Sequence, residues 1–163
     1  MLKQVLSILR TVVKALAAFG VAAYGFAALV TVVDIIGRKL GFPVQGVVDL
    51  VQLFVVTGAW LVMPFAFMTA AHVGVDFVVS SLHRAFVIPL KVMSTAMGLA
   101  LVGMMLWQGY LTFQTRTMFG DTSQQLGIPI AWYWYPLLVG LTVSLLGLVL
   151  ELIGSFKWEN DNE

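Results

Sequence analysis

Long stretches of this sequence contain no charged residue, and cysteine is missing throughout. Asp, Glu, Lys and Arg are all absent from residues 15–33, 50–71, 92–115 and 130–150. The lack of cysteine excludes disulfides, thiolate metal sites, thioether-linked haem and cysteine nucleophiles. Only 10% of the residues are charged, against roughly 25% in soluble globular domains, so a soluble domain is excluded.

What the chain has instead is apolar sequence, which makes up 60% of its residues. Each uncharged run supplies the roughly 20 residues that an α-helix needs to cross about 30 Å of hydrocarbon at about 1.5 Å per residue. We therefore predict an all-α membrane protein, a single four-helix domain over residues 1–163, with four transmembrane helices. The predicted spans are approximately 15–36, 48–71, 91–115 and 130–152.

The charged residues indicate how the chain sits in the membrane. With a formal net charge of +1 and scattered basic residues, the sequence lacks the basic patch of a nucleic-acid-binding protein. Lys and Arg are retained on the cytoplasmic side of a membrane more often than they are translocated. Cytoplasmic termini would place six of the nine basic residues on that side: Lys3, Arg10, Lys14, Arg84, Lys91 and Lys157. We therefore predict that both termini are cytoplasmic, although this orientation places Arg38, Lys39 and Arg116 on the outer side of the membrane.

Two segments beside the spans are amphipathic. Apolar residues recur at helical spacing over residues 2–16, with Lys3, Arg10 and Lys14 on the other face. A similar stripe covers residues 75–86. Both patterns are typical of a helix lying in the headgroup layer and equally of the end of a long, tilted span. A possible interfacial amphipathic helix before the first span is therefore one of two alternatives.

The spans carry little that points to chemistry or conduction. Ionisable residues are confined to span ends, whereas one in mid-span would point to an ion or proton path. Small residues in the spans predict close helix packing instead. Those predicted to bring helices together are Ala18, Ala22, Gly25, Gly140, Ser144 and Gly147.

Motifs for catalysis or cofactor binding are also missing. The sequence has no Gly-rich phosphate loop, nucleophile elbow or metal-ligand cluster. Membrane haem is held by His residues from different helices, whereas His72 and His83 flank one loop region. We predict no catalytic residue, no metal site and no cofactor. Two alternatives stay open: a haem-bearing or structural membrane anchor of a redox complex, and a self-sufficient channel built from several copies.

Several short motifs resemble a known family. They are RKLGFPVQGVVD at 38–49, Ala59-Trp60, AAHVGVD at 70–76, Gly127-Ile128-Pro129, Trp132, Tyr135-Pro136 and Gly140. Together they resemble the small membrane subunit of tripartite ATP-independent periplasmic (TRAP) transporters, the DctQ-like family. The resemblance covers nearly the whole chain, including its four spans. One departure is Asp49, where the family more often carries Glu.

The resemblance implies a subunit of a sodium-coupled transporter for organic acid uptake in the bacterial inner membrane. Its implied partners are a large membrane (DctM-like) subunit, a periplasmic substrate-binding (DctP-like) protein and membrane lipid. The large subunit would carry the substrate, and this chain would pack against its scaffold and stabilise it. Loops 37–49 and 116–129 would then face the periplasm.

The resemblance also implies where partners bind. The expected partner-interface residues are Arg38, Gly41, Phe42, Pro43, Asp49, Trp60, His72 and Asp76. Phe42 and its neighbours, with residues 116–129, are expected to touch the binding protein.

The charged members of this set have more than one expected role. Arg38 and Asp49 bracket the first outer loop, and we expect them to pair across the hairpin, to pair with the partner, or to stay solvated. His72 and Asp76 are expected to fix a cytoplasmic turn, to anchor the large subunit, or simply to end the helix.

Overall fold

The computed structural model describes the backbone of residues 2–79 and 84–160, and side chains at 4, 7–69, 92–150 and 152. Four helices make up nearly all of the described chain: α1 (Leu2–Lys39), α2 (Val47–Val79), α3 (Arg84–Met118) and α4 (Ala131–Asn160). Each contains a segment long and apolar enough to cross a membrane, namely Ser7–Lys39, Val47–Thr69, Val92–Met118 and Ala131–Leu150. The predicted all-α fold with four membrane-capable helices is confirmed. The cytoplasmic placement of both termini stays a prediction.

The amphipathic segments are continuous with the long helices. α1 has 38 residues and is therefore about 57 Å long, well beyond the roughly 30 Å of hydrocarbon. Residues 2–19 contain no Gly or Pro, so nothing in the sequence interrupts the helix before the first span. The alternative of a separate interfacial helix is therefore wrong, and the N-terminal stretch is the end of α1.

The far end of α2 also differs from the sequence prediction. The helix continues through His72 and Asp76 to Val79, so these two residues do not form a turn. Their side chains, like all of His83, lie outside the described residues. The proposed roles of His72 and Asp76 with a partner therefore remain predictions.

The helices pack in a row rather than in a compact bundle. α1 packs on α2, α2 on α4, and α4 on α3, whereas α2–α3 and α1–α4 barely touch. Among the described residues α1 and α3 make no mutual contact, so they form the two edges of the row. Within an apolar stretch of 18 residues, only 11% of the residues in α3 and 28% of those in α4 are buried inside the chain. Most of the apolar surface is therefore left for lipid or for another protein.

The contact between α2 and α4 joins the two halves of the row. Gly140 of α4 lies directly against the backbone of Trp60, where a Cβ atom would overlap the Trp60 carbonyl group. Ser144, one turn further along α4, is buried and donates its hydroxyl proton to the Gly140 carbonyl oxygen at 2.8 Å. Gly147 continues the same side next to Met68. Gly140 therefore lies where the backbones of α2 and α4 come close together, and Ser144 and Gly147 continue the same side of α4.

The contact between α1 and α2 uses a different set of small residues from the predicted one. A Cβ atom on Gly20 would meet Val62 at 2.8 Å, and Ala23 and Ala27 are buried on the same side of α1. The residues predicted for helix packing, Ala18, Ala22 and Gly25, are exposed on the opposite side. For contacts within this chain that prediction was wrong, because small-residue spacing does not reveal which side of a helix has a neighbour.

Replacing Gly140 by Ala tests the close approach of α2 and α4. Both this substitution and Gly25→Ala add about 1 kcal/mol of helix propensity, but only the first creates a clash, since nothing lies within 4 Å of a Cβ on Gly25. We expect Gly140→Ala to lower the free energy of unfolding by about 1–3 kcal/mol relative to Gly25→Ala. Thermal unfolding of the detergent-purified variants measures the difference, and equal melting temperatures would contradict the contact.

Candidate functional site

The loop joining α1 to α2 and the loop joining α3 to α4 lie at the same end of the row. We call residues 40–46 and 119–130 together the two-loop end. The two loops meet where Asp49, in the first turn of α2, reaches the tip of the second loop. Of the eight partner residues expected from the sequence, Gly41, Phe42 and Pro43 lie in the two-loop end, and Arg38 and Asp49 lie beside it in α1 and α2. This end is therefore the candidate site.

A buried carboxylate holds the first loop. Asp34 lies in the last part of α1 and is only 6% exposed. Its Oδ2 accepts a hydrogen bond from Arg38 Nε at 2.7 Å, and its Oδ1 accepts one from the Val44 amide at 3.1 Å. Because an unpaired buried carboxylate is costly, these bonds are what allow Asp34 to be buried. Asp34 therefore fastens the loop to the helix that precedes it.

The end of α1 also determines the direction in which the first loop leaves the helix. The Phe42 amide donates to the Gly37 carbonyl oxygen at 2.8 Å, and the Gly41 amide donates to that of Arg38 at 3.3 Å. This is the Schellman pattern, which requires a left-handed residue just past the helix. Gly41 fills that position with φ of 84°. Gly41, expected at a partner interface, therefore has a backbone role that turns Phe42 outward.

A second buried carboxylate, that of Asp49, holds the tip of the second loop. It is 4% exposed, and its Oδ2 accepts hydrogen bonds from the amides of Gln125 at 2.9 Å and Leu126 at 2.7 Å. Its position in the first turn of α2 also places the negative charge at the positive end of the helix dipole. Asp49 therefore connects two loops that are more than seventy residues apart in sequence.

Further contacts around Asp49 involve the start of α4 and the loop itself. The hydroxyl of Tyr133, a buried residue, donates to the Asp49 carbonyl oxygen at 3.0 Å. The Ser123 hydroxyl accepts a hydrogen bond from the Ile128 amide at 2.9 Å. Gly46 has φ of 71°, and the Leu126 side chain occupies the space that a Cβ there would need. The loop tip is therefore packed as well as hydrogen-bonded.

The second loop has its own internal bonds. The Ser123 amide donates to Ile128 O at 2.8 Å, and the Ile130 amide donates to Asp121 O at 2.9 Å, which makes the loop a short hairpin. α3 ends with the same Schellman pattern as α1, with Gly120 in the left-handed position. Most of the loop is thus held independently of any partner.

Within this chain Arg38 and Asp49 do not pair with each other, and their expected pairing with a partner stays a prediction. Arg38 pairs with Asp34, four residues earlier on α1, and Asp49 binds backbone amides of the second loop. The pairing across the hairpin was therefore wrong, because each charge has a better-placed partner. Sequence reasoning missed Asp34, although an Asp followed by Arg at i+4 is a recognisable signal of a helical ion pair.

Apolar side chains point away from this fastened end. The exposed fraction is 81% for Phe42, 69% for Leu40, 87% for Met118 and 79% for Phe119. Pro43 is exposed beside Phe42. We refer to Leu40, Phe42, Met118 and Phe119 as the apolar tip. Loops that are held by buried hydrogen bonds yet expose large apolar groups are suited to binding another surface.

Trp60 lies elsewhere. It is partly buried at the α2–α4 contact and packs against the cluster of Val102, Leu141 and Leu148. At least part of the Trp60 side chain is therefore buried inside the chain and does not lie at the expected partner interface.

The chain matches one known protein family over most of its length. The family model described as "Tripartite ATP-independent periplasmic transporters, DctQ component" matches residues 27–157. The chain belongs to this family. The matched region includes the last third of α1, both loops, α2, α3 and most of α4, so this DctQ component is the small membrane subunit of a TRAP transporter. No curated protein matches the chain.

Removing the Asp49 carboxylate from this DctQ component should loosen the second loop. In Asp49→Ala the amides of Gln125 and Leu126 lose their acceptor, a loss of about 1–3 kcal/mol, which corresponds to hydrogen exchange that is roughly five- to 150-fold faster. Amide exchange followed by mass spectrometry over residues 119–130 measures it. Asp121→Ala, which breaks the exposed pair with Arg116, is the matched control and should change exchange little. Equal exchange in the two variants would contradict the proposed fastening.

Proposed function

We propose that this chain is the small inner-membrane subunit of a sodium-coupled TRAP transporter for organic acids. In this proposal it packs against the scaffold of the large membrane subunit, stabilises it, and contributes to docking of the periplasmic binding protein. The observation that carries the proposal is the open row of helices in a member of the DctQ family. A row of helices with two free edges suits a subunit that packs beside another membrane protein. It suits less well a protein that encloses its own transport path.

The positions of the charges support a bracing role. Asp34 and Asp49 are the buried acidic residues of the described chain, and both bind backbone amides at the two-loop end. Neither carboxylate is left free to coordinate a sodium ion. Substrate and sodium are therefore assigned to the large subunit in this proposal, in line with the division of labour that the family implies.

The two-loop end supports the docking role. Positive-inside counting places it in the periplasm, where the binding protein would approach. The apolar tip is exposed, while hydrogen bonds to Asp34 and Asp49 hold the loops that carry it. Loops already held in place lose less conformational entropy on binding, which favours recognition of a partner surface.

The alternative of a redox anchor finds no support in the family match, which describes a transporter component.

Reconstitution tests the proposed division of labour. We expect organic acid uptake into vesicles when this chain, the large subunit and the binding protein are present together under a sodium gradient. The chain alone should give none, because its row of helices offers no enclosed path. Uptake is measured with a radiolabelled substrate. Transport by the chain alone, or full transport without it, would contradict the proposal.

Charge in the apolar tip tests docking. Phe42→Asp or Phe119→Asp should weaken binding of the binding protein by roughly tenfold, since an apolar contact of about 1–3 kcal/mol would be replaced by a charge that must lose its water. Phe42→Leu keeps an apolar side chain and serves as the control. Binding is measured by surface plasmon resonance on the assembled membrane complex, and complex yield is measured in parallel. Unchanged binding at unchanged yield would remove the apolar tip from the docking surface.

A further inference from the structure

Gln108 carries a carboxamide on the exposed side of α3 and has no hydrogen-bond partner within the part of the chain that the structure describes. The Thr112 hydroxyl, one turn away, donates to the backbone carbonyl oxygen of Gln108 and not to its carboxamide. Gln114, further along the helix, differs because it donates to the Tyr110 hydroxyl at 2.9 Å.

The depth of Gln108 makes this absence important. Along the apolar segment Val92–Met118 it lies about 24 Å from the first residue and about 15 Å from the last, at about 1.5 Å per residue. Its neighbour Gly109 lies against Leu137 of α4, which is already past the aromatic residues that begin that helix. Gln108 is thus in the hydrocarbon region, where its short side chain does not easily reach the headgroup layer.

The surroundings of Gln108 on α3 are apolar and adaptable. Met97, Leu101, Met104 and Leu111 are exposed on the same side at helical spacing. Methionine side chains adjust readily to an irregular partner surface. This side therefore combines one unsatisfied polar group with a flexible apolar surround.

Lipid tails have no hydrogen-bonding groups, so a carboxamide facing them stays unsatisfied, whereas a neighbouring helix satisfies it. We infer that the exposed side of α3, residues 97–111, is the surface on which the large membrane subunit packs, and that a polar group of that subunit binds the Gln108 carboxamide. This inference rests on the proposed function, which supplies the partner, and adds the location of the contact.

The opposite edge of the row is better suited to lipid. On α1 the Thr31 hydroxyl is already satisfied by the Ala27 carbonyl oxygen of the same helix at 2.8 Å. Phe19 and Leu29, two large exposed residues of α1, are apolar. Because α1 and α3 form opposite edges, a large neighbour at α3 extends the row without disturbing the contacts within this chain.

Photo-cross-linking in the assembled complex locates the contact. A photoreactive amino acid at Met104 or Leu111 should cross-link to the large subunit, and the same amino acid at Phe19 or Leu29 on α1 should not. Cross-links to the large subunit from α1 only, cross-links between two copies of this chain from α3, or no cross-link from α3 would each overturn the inference.

Substitution of Gln108 tests the hydrogen bond. Gln108→Leu should weaken association with the large subunit roughly three- to thirtyfold, as expected for one interhelical hydrogen bond in a membrane. Leu29→Met, on α1 at the opposite edge of the row, is the control and should leave association unchanged. The melting temperature of each variant on its own shows whether the chain still folds. Undiminished association of a folded Gln108→Leu variant would overturn the inference.

The two proposals fail in different ways. If the wild-type chain and the large subunit form a complex but the contact lies at α1, the proposed function stands and the location is wrong. If the wild-type chain does not associate with the large subunit at all, both are wrong.

Discussion

The close contact of α2 with α4 is the constraint on which the rest of the structure depends. Within a membrane, helices gain little by hiding apolar side chains from one another, because lipid tails are equally apolar. Association depends instead on the close approach of backbones. Gly140 allows that approach at Trp60, and it is the place where the α1–α2 hairpin and the α3–α4 hairpin become one molecule. Without the α2–α4 contact, α1 and α2 would form one helical hairpin and α3 and α4 another.

The same contact positions the two-loop end. Tyr133, at the start of α4, binds the Asp49 carbonyl group, and the Asp49 carboxylate binds the tip of the loop that leads into α4. Asp34 holds the first loop in the same way, because its carboxylate accepts a hydrogen bond from the Val44 amide. In both cases a buried carboxylate is stabilised by backbone amides that would otherwise lack acceptors. The two loops are therefore held by parts of the helices and not by a hydrophobic core.

This architecture gives the molecule surfaces of different character. The apolar tip faces away from the helices, α1 presents a mainly apolar edge, and α3 presents an apolar edge interrupted by Gln108. An open row has little enclosed volume but much lateral surface. Such a shape accords with a component of a tripartite transporter.

The comparison of sequence with structure separates local from non-local information. Uncharged runs of sufficient length determined the four membrane-capable helices, since hydrocarbon admits few other backbone structures. The spacing of Gly41 and Gly120 from the helix ends is similarly a local signal. The family resemblance, which rested on short motifs such as residues 70–76, also needed no knowledge of contacts.

Sequence alone did not determine which helix sides meet, because Ala18, Ala22 and Gly25 look as suitable for packing as Gly20, Ala23 and Ala27. It also did not reveal that Asp49 would bind amides more than seventy residues away, or that Arg38 would prefer Asp34. Those outcomes depend on the order of helices in the row, α1–α2–α4–α3. Length and polarity are properties of single segments and can be read from the chain, whereas the partners of a side chain depend on which backbones approach one another, and only the tertiary structure decides that.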